Sequence, residues 1–189
     1  MNAAQVHLLL NHVPIIGAII ATLLLALGIG MRSRDVVRVT MGLFVALALA
    51  GGVVYLTGEP AEEMVEDLPG VSHEILEEHE EFALPSAIVL GLVGLVSLVG
   101  LIRYRRAERV PRGFAIATLL MSIIASAMLG WTAHLGGQIR HEEIRPAGAA
   151  ATGAAATGGA AAAGVTAAAG IAPAAGVPPE GGEEYGRGS

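Results

Sequence analysis

Four long apolar stretches organise the chain, at residues 5–31, 36–57, 82–102 and 113–137. Each is close to the ~20 residues that an α-helix needs to cross a ~30 Å hydrocarbon core. The pattern predicts an all-α fold: an integral membrane four-helix bundle. A cleaved leader is the alternative for the first stretch, but its opening "MNAAQVH" carries no positive charge and the run holds Asn11, His12 and Pro14, so it is read as a span. Between the second and third stretches, Ser72 follows "LPG" as a helix N-cap, and "HEILEEHEEFALP" continues with a stripe of Ile75, Leu76, His79 and Phe82. This segment is expected to form a periplasmic amphipathic helix along the membrane surface, over the mouth of the bundle. Its bland alternative is a solvated acidic helix whose histidines, His73 and His79, are incidental. Residues 146–189 are rich in Ala, Gly and Pro with almost nothing large to bury, which predicts a disordered tail; a docking anchor onto a larger complex is the alternative. The expected organisation is a transmembrane domain over 1–145 and a low-complexity tail over 146–189.

Composition agrees with the spans. Hydrophobic residues make up 53% of the chain, mean hydropathy is +0.63, and no lysine occurs, so the partner to expect is a lipid bilayer and not nucleic acid. The absence of cysteine excludes disulfides, thiolate metal sites, iron–sulfur ligation and covalent c-type haem attachment.

Charge sets an expected orientation. Arg32, Arg34 and Arg38 follow the first span, and Arg103, Arg105, Arg106, Arg109 and Arg112 follow the third; short arginine-rich loops stay cytoplasmic. The loop at 58–81 holds ten of the seventeen acidic residues and no basic one. The expectation is a bacterial inner-membrane protein with both termini and the acidic loop in the periplasm.

All six histidines then fall on the outer side: His7 and His12 at the start of span one, His73 and His79 before span three, His134 and His141 at the end of span four. An ionisable group inside a bilayer costs about 2.5 kcal/mol or more when charged, so such groups usually have a partner or a task. His7 and His12 are about 140° apart and ~7.5 Å apart in depth on an unbroken helix, which gives them different roles. Pro14 removes a backbone donor and strains the carbonyl of Leu10, so an irregular helix start is expected. His134 and His141 share a face about 10.5 Å apart, with a break between them expected at Gly136 and Gly137. His12 and His134, at similar depth on different spans, are the expected axial pair for a haem b. His7, His79 and His141 form an outer group for a second cofactor or the haem propionates. Zinc, copper or iron held by the same histidines is the alternative, with His73 and Glu77 as a further His-x-x-x-Glu pair. A carboxylate-bridged di-iron site is disfavoured because Leu76 stands three residues before His79, where a Glu-x-x-His motif needs its acid. The small residues Gly17, Gly28, Gly42, Gly51, Gly52, Gly91, Gly94 and Gly100, and "SIIASAMLG", read as helix-packing positions. Trp131 and Tyr55 read as an interfacial aromatic belt, with cofactor stacking as the alternative.

"HLLLNHVPI" at the start of span one, "LTGEPAEE" after span two, "HEEFA" before span three and "HLGGQIRH" after span four together resemble the small bacterial membrane proteins called domain of unknown function 2231. The resemblance covers about residues 5–145, with its spaced histidines and proline at His7, His12 and Pro14, and its Gly-Gly and following histidine at Gly136, Gly137 and His141. It implies redox chemistry near the outer surface, since relatives occur joined to Rieske or cytochrome c domains. Two functions follow as expectations: a haem-b or metal electron carrier whose acidic face docks a cytochrome, or a non-catalytic accessory subunit of a larger respiratory or photosynthetic complex.

Overall fold

A computed structural model describes residues 2–139, 141, 144 and 145. The expected tail at 146–189 lies outside the described residues. Among the described residues the chain is all-helical, its helices joined by turns and short loops, with no strand. The elements are α1 (Ala3–Leu10), α2 (His12–Gly30), α3 (Arg34–Leu56), α4 (Gly58–Glu62), α5 (His73–Arg103) and α6 (Arg112–Gln138). Four segments are long and apolar enough to cross a membrane: α1 with α2, α3, α5 and α6.

Local chemistry fixes most of the boundaries. Asn2 caps α1, accepting from the Gln5 backbone N–H at 2.9 Å while its own N–H donates to the Gln5 side chain at 3.1 Å, so two otherwise orphaned donors satisfy each other's partners. The first span is irregular at Asn11, between α1 and α2, where the backbone keeps helical dihedrals (φ −59°, ψ −30°). Pro14 contributes to the irregularity, because it has no N–H to offer the Leu10 carbonyl and its ring crowds that carbonyl. At the other end of α2 the chain turns through Arg32, whose φ of 54° puts it in the left-handed region. The Ser33 N–H reaches back to the Gly28 carbonyl at 2.9 Å and the Arg32 N–H to Ile29 at 3.2 Å, the paired bonds of a Schellman C-cap in which glycine is the usual occupant. Ser33 then caps α3.

Ser72 caps α5, as the sequence predicts, accepting from the Ile75 N–H. The helix does not stop before the third span. It runs 31 residues through Pro85 without interruption, about 46 Å at 1.5 Å per residue. The segment expected as a separate surface helix is therefore the projecting first part of the third span, with Ile75 and Leu76 buried.

α2 packs on α3 and α6, and α5 packs on the same two helices, so the spans close into a ring in the order α2, α3, α5, α6. The first and last spans are neighbours. Large apolar side chains such as Leu23, Val39, Leu49 and Leu120 point outward, while the interior combines Leu25, Met41, Phe44 and Leu90 with the buried hydroxyls of Thr40, Ser86, Ser97, Thr118 and Ser122. That inversion suits lipid, which offers no hydrophobic gain for burying leucine and so leaves close packing and hydrogen bonds to join helices. Thr40 and Thr118 satisfy their hydroxyls on the carbonyls four residues back, Val36 and Phe114, at 2.8 and 3.0 Å. Thr22 and Ser126 bond to each other across α2 and α6 at 3.2 Å.

Candidate functional site

Topology brings the beginnings of α1, α2 and α5 to the same end of the bundle as the end of α6. This is the histidine end. The two loops rich in arginine lie at the other.

His7 and His79 are the histidines the structure turns inward; both are partly buried. The His7 Nδ1 lies 3.2 Å from the Val54 carbonyl and 3.3 Å from the Thr57 hydroxyl, which itself donates to Val54 at 2.9 Å. The His79 Nδ1 lies 2.9 Å from the Thr132 carbonyl. A carbonyl only accepts, so each Nδ1 carries the proton and each Nε2 keeps its lone pair. Among the described residues neither Nε2 has a hydrogen-bond partner. The two imidazoles are near enough for the charge of one to act on the other.

The space for these rings comes from glycine. A methyl group on Gly136 would lie 3.1 Å from Cε1 and 3.3 Å from Nδ1 of His79, and one on Gly58 would lie 3.8 Å from Cε1 of His7. The glycine pair read as a break between His134 and His141 holds instead a continuous helix: α6 passes through Gly136 and Gly137 to Gln138. Gly136 is the floor on which the His79 ring rests.

His12 and His134 are exposed, and each bonds within its own neighbourhood. The His12 Nδ1 is 3.2 Å from the Leu8 carbonyl, one turn back. The His134 Nε2 is 2.6 Å from the Gln138 side-chain nitrogen, so its lone pair is taken up by an amide donor. His134 also stands 5.5 Å, centre to centre, from Trp131, which meets Phe82 edge-on at 6.4 Å. The structure brings together the spans that carry His12 and His134 but does not turn their rings inward as it does those of His7 and His79. His141 is exposed just past α6, its N–H on the Gly137 carbonyl at 3.3 Å, and His73 is exposed at the start of α5. Among the described residues no group of three or more His, Asp or Glu side chains is arranged to hold a metal ion.

One participant, Arg145, had no prominence in the sequence. Arg145 donates to the carbonyls of Gln138 at 2.8 Å and Ile139 at 2.7 Å, and also to Gly70 at 2.8 Å. It caps the α6 C-terminus, where orphan carbonyls and the helix dipole favour a cation, and ties that end to the loop before α5. The Asn11 side-chain oxygen, at the irregularity in the first span, is buried without a hydrogen-bond partner among the described residues. Around the rim, burial raises the carboxyl pKa of Glu62 on α4 above its ordinary value, and the negative charges of Glu80, Glu66, Glu59 and Glu77 raise it further. The acidic loop thus gathers against the start of α5, and its negative field covers the histidine end. Comparison with known protein families, curated proteins and solved structures gives no match for this chain.

Proposed function

We propose that the protein is a membrane-embedded redox subunit that holds a haem b or a first-row metal ion through His7 and His79. The observation that carries this reading is the shared tautomer: both Nδ1 protons are held by backbone carbonyls of other helices, leaving both Nε2 lone pairs unoccupied. Metal-bound histidines are commonly held this way, since the second hydrogen bond fixes the ring and strengthens the donor nitrogen. The buried, unpartnered Asn11 oxygen at the same end adds a polar group with unmet hydrogen-bonding capacity. His12 and His134, the pair expected from depth, and His141 become secondary positions near the rim. The acidic face around Glu62 suits a basic electron-transfer partner such as a soluble cytochrome.

Purified full-length protein tests this by absorption spectroscopy and metal analysis. The expected result is a Soret band that shifts on dithionite reduction, or a stoichiometric metal, lost in His7→Ala and in His79→Ala and kept in His73→Ala. A colourless, metal-free wild-type protein overturns the reading. Loss in His12→Ala and His134→Ala, with retention in His7→Ala and His79→Ala, returns the site to the pair expected from depth.

The specific observation favouring an accessory subunit is the exposed aromatic group of Trp131 and Phe82 beside His134. On that reading the aromatic group packs against a helix of the larger complex and needs no cofactor.

The same reading places the histidine end in the periplasm. The chain has no cysteine, so single cysteines report orientation without background. Asp67→Cys and Glu108→Cys occupy exposed positions at opposite ends of the bundle. A membrane-impermeant maleimide on intact cells should label the first and spare the second; the reverse pattern places the site in the cytoplasm.

A further inference from the structure

The arginine end holds a cavity of about 330 Å³, distant in the fold from the histidines. Four guanidinium-bearing residues line it: Arg32 from the α2–α3 turn, Arg34 at the start of α3, Arg109 from the α5–α6 connection and Arg112 at the start of α6. The remaining wall is largely apolar, with Ile29, Val37 and Val110. Among the described residues none of the four arginines forms an ion pair, although Asp35 and Glu108 lie next to Arg34 and Arg109 in the chain. Arg34 instead donates to the Arg105 carbonyl at 3.4 Å.

Uncompensated positive charge gathered round a cavity calls for an anion. The geometry adds to it in two ways. α3 and α6 both begin at the cavity, so the partial positive charge of two long helices faces the same space. No side chain caps α6 at Pro111, which leaves its first amides unclaimed by the chain's own side chains. Arg32 supplies a third, independent observation. It occupies the left-handed C-cap position at φ 54°, where glycine would avoid a steric penalty. An arginine kept in that conformation gives up stability and gains a guanidinium at the cavity wall.

We propose that this cavity binds the phosphate-bearing headgroup of an anionic lipid. Phosphate chemistry follows from the guanidiniums, whose planar donors match phosphate oxygens. The lipid source follows from position: the cavity sits where α2 and α5 end and α3 and α6 begin, at the limit of the apolar spans. Eight arginines in the two connections there and the helix ends beside them accompany only two acidic residues, Asp35 and Glu108, and basic pockets between membrane helices at such a surface are suited to anionic headgroups. The apolar wall continues toward the acyl chains, which free phosphate would leave unused. The site is independent of any cofactor at the histidine end.

The test is a thermal titration of the full chain in neutral detergent, following Trp131 fluorescence. Phosphatidylglycerol should raise the melting temperature saturably by several degrees, and phosphatidylcholine and inorganic phosphate at the same concentrations should not. Arg32→Gly combined with Arg109→Gln should weaken phosphatidylglycerol binding about thirtyfold, two guanidiniums near an anionic headgroup being lost. Arg105→Gln with Arg106→Gln, which removes equal charge outside the cavity lining, should change it less than about twofold. Arg32→Gly alone should raise the lipid-free melting temperature by about 3 °C, as relief of the left-handed strain predicts, while weakening the lipid effect. Arg109→Gln alone, at a residue outside the left-handed region, gives the binding loss without relieving backbone strain. Equal stabilisation by phosphatidylcholine overturns the proposal, as does equal loss in the control pair. Stabilisation by inorganic phosphate matching that of the lipid reassigns the cavity to a free anion and likewise overturns it.

Discussion

Gly94→Ala is expected to part α3 from α5 and destabilise the bundle by about 1–3 kcal/mol, the range for overpacking a closed interior. The added Cβ would overlap that of Ala48 and lie 3.2 Å from the Phe44 carbonyl oxygen. Neither neighbour can swing aside, since one is a methyl fixed to the backbone and the other is backbone itself, so the helices must separate. Phe44 is fully buried beside this contact, and separation loosens its packing as well. Gly91, three residues earlier on the same helix, supplies the control: a Cβ there meets nothing within 4 Å. Thermal unfolding in detergent should show Gly94→Ala melting several degrees below the parent and Gly91→Ala at or slightly above it, alanine being the better helix former. Equal melting of the two variants would show that the close approach of α3 and α5 contributes nothing to stability.

The second large effect is expected at the histidine end. Gly136→Val must push the His79 imidazole off its seat, because the space a side chain needs is already taken by ring atoms 3.1 and 3.3 Å away. The ring leaves the Thr132 carbonyl, breaking a 2.9 Å bond that joins α5 to α6. Overpacking and an unpaired buried donor together cost on the order of 2–4 kcal/mol. In histidine-selective ¹⁵N NMR of the detergent-solubilised protein, the slowly exchanging Nδ1 proton of His79 should disappear, and any cofactor held by its Nε2 should leave with it. Gly130→Val on the same helix, where a Cβ meets nothing within 4 Å, should leave both intact. Persistence of the His79 proton in Gly136→Val would sink the argument that this glycine seats the ring.

The spans themselves were legible in the sequence, because a bilayer demands long uninterrupted apolar runs. Ser72 correctly marked the start of a helix, and Pro14 correctly marked an irregularity. The inward and outward faces were harder to read. In water an apolar stripe identifies the core, but in lipid leucine is as comfortable outside as in, and Leu23 and Leu25 lie on opposite sides of that division two residues apart. Depth alone therefore selected His12 and His134 as a pair. The usable signal was a seven-residue phase that sets His79 in line with the small residues Ser86 and Gly100. His79, Ser86, Val93 and Gly100 follow one another at that interval, the last three buried, so His79 shares the interior face of α5. His12 is in phase with Ile19, which is exposed, and His134 stands nine residues from buried Ala125, half a turn out of phase. The carbonyls of Val54 and Thr132 carry no side-chain signature, so their role could not be read before the backbone was placed.

The ring order of the helices also bears on how the protein is made. α2 enters the membrane first and α6 last, yet the two are neighbours joined by the bond between Thr22 and Ser126. While synthesis proceeds, α2 can pair with α3 and α3 with α5, but the two sides of the ring that α6 completes stay open, and the Thr22 hydroxyl awaits a partner that has not emerged. The His79 ring waits too, since both its carbonyl acceptor and its glycine seat belong to α6. Arg145 comes later still and ties the finished end to Gly70. A nascent chain halted anywhere before α6 therefore shows membrane quality-control proteases an unclosed polar seam, and the His79 ring takes its place at the histidine end only when the last span has inserted.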